Sequence, residues 1–143
     1  MPAVIGGPFG RFSHAKGTAR QLWIAGGIGV TPFLSWLRGL GQHPVRGPVD
    51  FFYSSSDPDM PYADEIRGLA ARSGLVRVHL FDSRQGRLTA ERILAEAGGP
   101  VAPSGQVSVF LCGPARMTRA LQSGFRDLGV PARHIYREYF DWR

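Results

Sequence analysis

The 143 residues carry 17 Lys+Arg against 11 Asp+Glu, a formal net charge of +6, with 43% hydrophobic and 20% charged residues. That balance fits one globular domain with a real core; no apolar run reaches the ~18 residues of a membrane helix, the single cysteine excludes an internal disulfide or a cysteine-built metal site, and none of the four histidines stands at metal-ligand spacing. The basic excess is almost all arginine and points to anionic partners, but the arginines are scattered without a basic run, which argues against a nucleic-acid groove.

Residues 1–20 are glycine-rich, lack periodicity and read as an incoming linker, leaving 21–143 as the folded unit. The first buried strand is Gln21–Ala25, followed by "GGIGVTP" and a helix over Pro32–Leu40, with Pro32 in the first turn. A turn-rich loop, Gly41–Pro48, leads to a second strand, Val49–Ser54, and then to a helix, Ala63–Arg72, with Ile66, Leu69 and Ala70 on one face. The third strand is Val76–Phe81. Thr89–Ala97 follows as a helix that opens on Thr-x-x-Arg, half of a capping box. After a flexible loop, Glu96–Gly105, the fourth strand Val107–Cys112 enters the helix Ala115–Leu128, which Gly129 stops. The last strand is roughly His134–Tyr139.

Strand and helix alternating in this way predict an α/β fold: a doubly wound, parallel five-stranded sheet, Rossmann-like, in strand order 3-2-1-4-5. In that order the first and fourth strands are neighbours at the switch point, where ligands sit beyond the strands' carboxyl ends. Both strands end in glycine and both open a helix. The first turn, Gly26, Gly27 and Gly29 before Thr31 and Pro32, suits a phosphate or a flat ligand against the backbone and a helix N-terminus. Alone it is equally a plain strand-to-helix turn, since the spacing is G-x-G-x-x-P and no acidic residue ends the second strand. The matching turn at Cys112, Gly113 and Pro114 makes the pair hard to explain by packing.

"GGIGVTP" followed by "CGPARM", with "GPFG" (7–10) upstream and an aromatic carboxyl end, resembles the pyridine-nucleotide domain of the ferredoxin–NADP reductase superfamily. The closing "REYFDWR", with "SRQGRLT" (83–89), is most similar to its ferric reductase and NADPH oxidase branch. The resemblance implies that Gly26, Gly27, Gly29, Thr31 and Pro32 receive the pyrophosphate and nicotinamide side of NADPH. Cys112, Gly113 and Pro114 then lie near the nicotinamide, with Met117 just behind. Ser54, Ser55 and Ser56 after the second strand, and Ser83, Arg84 and Arg87 after the third, would hold the adenosine 2′-phosphate; Arg84 and Arg87 read equally as a solvated loop. The missing acidic residue favours NADPH, while Asp57 and Asp59 keep NADH open. Phe140 is the best match for the aromatic ring that covers the flavin, and Trp142 the second. Phe140 and Cys112 are thus the groups expected beside the reacting rings. No histidine base adjoins Cys112, so it is not read as a nucleophile.

FAD is expected on a β-barrel that this chain lacks, with 1–20 as the segment leaving that barrel. The branch resemblance further implies a haem-containing membrane domain in the parent protein, this domain lying at the cytoplasmic face. Hydride would then pass from NADPH to FAD and electrons onward to haem, and the isolated domain would not turn over. Two alternatives stand beside this reading: the reductase domain of a soluble flavoprotein that feeds a ferredoxin or an oxygenase, and a non-enzymatic anion-binding module.

Overall fold

Leu22, Trp23, Ile24 and Ala25 are all buried, so the strand they form is covered on both faces, as the centre of a parallel sheet requires. The computed structural model describes residues 3–5, 12–57, 59–98 and 106–141. Its strands are β1 (Ala3–Ile5), β2 (Arg20–Gly26), β3 (Val49–Ser55), β4 (Val76–Asp82), β5 (Val107–Pro114) and β6 (Ile135–Asp141). Its α-helices are α1 (Val30–Arg38), α2 (Ala63–Ser73), α3 (Ala90–Glu96) and α4 (Ala115–Asp127). The sheet order is β1-β6-β5-β2-β3-β4. The pairs from β6 to β4 are parallel. These five strands are the 3-2-1-4-5 arrangement expected from the sequence.

One strand was not expected. Ala3–Ile5, inside the segment read as a linker, pairs antiparallel with β6, Val4 opposite Phe140. Residues 12–18 are also tied to the body. Phe12 is buried in the core. The Gln21 amide donates to the carbonyls of His14 (2.8 Å) and Thr18 (3.0 Å), and the Tyr136 hydroxyl donates to the Lys16 carbonyl at 3.0 Å. "GPFG" (7–10) lies outside the described residues, as does most of the loop Glu96–Gly105.

Because successive strand residues point to opposite faces, each strand feeds two cores. Trp23, Phe51 and Phe110 meet Phe33, Leu34 and Leu37 of α1 and Ile66 of α2 on one face. Leu22, Ile24, Phe52 and Leu111 meet Ile93 of α3 and Leu121 and Phe125 of α4 on the other. Burying each such side chain contributes about 1.5–3 kcal/mol. The local signals behave as their chemistry directs. The Thr89 hydroxyl accepts from the Arg92 amide at 3.2 Å, the one half of a capping box that the sequence contains. Gly129, at φ +101°, follows the end of α4. Helix α1 begins two residues before Pro32, which stays in the first turn, where a missing N–H costs no intrahelical bond.

At the amino end of the sheet, Asp50 is 1% exposed yet charged. Arg20 reaches it at 3.2 Å, Arg77 at 2.9 Å and His79 at 2.7 Å. Both arginines also donate to the Ala97 carbonyl at the end of α3, and His79 stacks on Phe52. This polar cluster closes the bottom of the second core.

Candidate functional site

The candidate site residues that the structure describes lie at the carboxyl edge of the sheet, at the ends of the parallel strands and in the turns that follow them. Five parallel strands at ~4.8 Å spacing make that edge about 19 Å long. At its middle, Ala25 pairs with Cys112 as the last register pair of β2 and β5, so the two glycine turns leave adjacent strands at the same level. Gly27–Gly29 then forms a 3-10 turn into α1, and Pro114 caps α4.

The glycines divide into two kinds. A Cβ on Gly29 would collide with the Cys112 carbonyl and come within 2.8 Å of the Gly113 nitrogen, so α1 starts flush against β5. A Cβ on Gly26 would strike the thioether of Met117, and one on Gly113 would lie 2.5 Å from the Met117 methyl. These three glycines pack the two turns onto each other, with Met117 as the shared floor. Gly27 is different: its φ is +56°, and nothing lies within 4 Å of where its Cβ would be. The open wall of the site is therefore Gly27 and the exposed Ile28, not all three glycines of the first turn. The Thr31 hydroxyl donates to the Ile28 carbonyl at 3.1 Å and holds that turn.

Cys112 is buried against the α1 face of the sheet, and burial, with the nearby Glu138, pushes its thiol pKa up to about 12. At neutral pH it is a small neutral thiol. Glu138 is a residue the sequence reading passed over. It pairs with Cys112 in register, is buried, and its Oε2 has no hydrogen-bond partner among the described residues. Burial raises its pKa above the ordinary 4.5. The signal was present in the alternation of β6, which puts Glu138 on the face of Tyr136.

The raised pKa sets a pH dependence. The folded chain holds a proton that the unfolded chain releases above about pH 4.5, so stability falls as pH rises past that point, until the folded carboxyl itself ionises. Glu138→Gln is expected to flatten this fall. Thermal unfolding at pH 4.5 and pH 7 should show the wild-type Tm dropping relative to the variant; parallel curves would contradict the assignment.

Phe140 pairs in register with Pro114, which puts its backbone beside the Cys-Gly-Pro turn. Its side chain and all of Trp142 lie outside what is described. At the other end of the edge, Ser54 and Ser55 are buried and Ser56 is exposed. The Ser55 hydroxyl accepts from the Asp57 amide at 3.0 Å and so is engaged within its own turn. Ser83, Arg84 and Arg87 are exposed in the loop after β4. Arg87 forms no ion pair among the described residues, whereas Arg84 is held by Asp82 at 2.7 Å. Cavities of about 440 and 410 Å³ open on the outer face of α4 and between α1 and α2, away from the glycine turns. At the turns themselves the exposed surface is Gly27 and Ile28.

The family model described as "Oxidoreductase NAD-binding domain" matches residues 23–123. Ferredoxin–NADP reductase B of Sorangium cellulosum is 32% identical over 151 residues, covering 94% of this chain and 60% of that protein. The carnitine monooxygenase reductase subunit of Escherichia coli is 34% identical over 138 residues, covering 95% of this chain and 40% of that protein. Among solved structures, flavohemoglobin from Malassezia yamatoensis, with bound FAD and heme, superposes with a TM-score of 0.71 at 24% identity. That match covers 87% of this chain and 32% of the flavohemoglobin, and it shows a shared fold. The chain thus spans 60% or less of the length of each of these proteins.

Proposed function

The chain belongs to the oxidoreductase NAD-binding domain family, and from that premise we propose that it is the NAD(P)H-binding domain of a flavin-dependent reductase that feeds a ferredoxin or an oxygenase. The observation that carries the reading is the juxtaposition of the two glycine turns on β2 and β5 with one open wall at Gly27. The pyrophosphate would lie along Gly27, Ile28 and the start of α1, where backbone amides and the positive helix end favour an anion. The nicotinamide would lie over Cys112, Gly113 and Pro114, with Gly26, Gly29 and Met117 fixing the floor. The neutral Cys112 thiol presents no negative charge to the ring, and burial disfavours the ionised form of Glu138 beside it.

The bound nicotinamide supplies a hydride, and FAD, held mainly by a separate domain, is its acceptor. What this chain contributes is position: a flat floor, an orienting helix end, and Phe140, whose place beside Pro114 suits a ring that covers the flavin. The exposed, uncovered turn at Gly27 and Ile28 accords with a second domain completing the site, and with an isolated domain that binds but does not turn over. The relatives reported are a ferredoxin reductase and a reductase component of a monooxygenase. They favour this reading over the ferric reductase and NADPH oxidase branch, with its haem-bearing membrane domain and membrane-face location. Among the described residues no helix is long and apolar enough to cross a membrane.

Arg87 and Ser56 are the exposed groups available to a 2′-phosphate at the adenosine end, Ser54 and Ser55 being buried and Arg84 engaged. Calorimetric titration of the chain with NADPH and NADH is expected to show both binding. Arg87→Ala should weaken NADPH about tenfold, roughly 1.4 kcal/mol, and leave NADH unchanged. Equal losses for both would remove the 2′-phosphate assignment, and no binding of either would remove the function.

A further inference from the structure

Asp82 is the last residue of β4 and pairs in register with Ser55 of β3. Its carboxylate is engaged twice by one residue. Oδ1 accepts from the Arg84 backbone amide at 2.9 Å, closing the 3-10 turn Ser83–Gln85. Both oxygens then take the Arg84 guanidinium, Nε at 3.0 and 3.2 Å and Nη2 at 2.7 Å. This is the two-pronged fork geometry that arginine otherwise offers to a phosphate. Asp57, in the loop after β3, adds a second negative charge near the same guanidinium. An arginine at the adenosine end is therefore already neutralised from within the chain.

We propose that Asp82 is a specificity-determining residue: by occupying Arg84 it lowers the preference of the site for a dinucleotide bearing a 2′-phosphate over one bearing a free 2′-hydroxyl. The proposal rests on the dinucleotide-binding reading above. A 2′-phosphate entering here meets a carboxylate that repels it and a guanidinium whose Nε and one Nη donor are taken. A ribose diol meets an acceptor for its hydroxyls, the role an acidic residue plays at a strand end in nucleotide folds. Arg84 keeps its remaining Nη donors, so the site discriminates weakly instead of excluding NADPH.

The test compares NADPH and NADH affinities by calorimetry for the wild-type chain, Asp82→Asn, and Asp82→Asn with Arg84→Ala. Asparagine still accepts from the Arg84 amide and preserves the turn. Asp82→Asn is expected to raise the NADPH-to-NADH affinity ratio about fivefold, in line with release of an exposed charge pair. The double variant should return the ratio to the wild-type value or below, because the gain acts through Arg84. An unchanged ratio in Asp82→Asn, with both cofactors still binding, would overturn the proposal and leave the dinucleotide reading standing. Failure of the wild type to bind either cofactor would sink both.

Discussion

Gly29→Ala is expected to lower the melting temperature by about 10 °C. The added methyl would meet the Cys112 carbonyl and the Gly113 nitrogen, both backbone atoms that cannot swing away as a side chain can. Relief requires moving the start of α1 off β5, and α1 carries Val30, Phe33, Leu34 and Leu37 into the first core. Overpacking of this kind costs about 3 kcal/mol, and at this chain length each kcal/mol is worth roughly 3 °C. Gly27→Ala is the matched control. Its methyl would enter open space, and its cost is only the left-handed backbone at φ +56°, about 1 kcal/mol. Thermal unfolding of the two variants separates the cases. A Gly29→Ala Tm within 2 °C of wild type would contradict the close approach of the turns.

Asp50→Ala should cost as much, at the opposite end of the sheet. The carboxylate is 1% exposed, pairs with the Arg20 and Arg77 guanidinium groups and lies 2.7 Å from His79 Nε2. Its removal leaves the Arg20 and Arg77 guanidinium groups without the carboxylate between them and opens a small void beside Phe52. Losing one partner of a buried ion pair costs about 3–5 kcal/mol; the lower figure applies here, because the Arg20 and Arg77 side chains are 35% and 62% exposed and remain partly hydrated. Urea unfolding should show the midpoint falling with the m-value unchanged. Dinucleotide affinity of the folded variant should stay within twofold of wild type, since Asp50 lies at the amino end of β3 and the site at the carboxyl end. A loss under 1 kcal/mol would mean that the cluster is a surface network.

The five parallel strands were legible because their signals are local: runs such as "LWIA" and "VFLC" bury on both faces, and glycine or proline marks each turn. The order of strands was legible through the glycine turns, which make sense as neighbours. Strand β1 was not, because three residues paired to β6 carry no periodicity of their own and depend on an edge built from the far end of the chain. The Asp50 cluster was hidden for the same reason: its members come from three separate strands, β2, β3 and β4. The side-by-side placement of the two glycine turns was readable, but the different packing of their glycines was not. Three glycines were credited with ligand contact, and two of them, Gly26 and Gly29, are small because Met117 and the Cys112 carbonyl occupy the space beside them. Arginine at position 84 suits a phosphate by its chemistry; the aspartate two residues earlier, an ordinary turn-closing pattern, is the sign that it is also engaged within the chain.

The central claim is that the two turns form one dinucleotide floor. Its most direct test is a backbone amide shift map of the isotopically labelled chain titrated with NADPH. The account predicts saturable shifts that move together over residues 26–31 and 112–117. Shifts confined to the outer face of α4 or the groove between α1 and α2, or no shifts at millimolar NADPH, would contradict it.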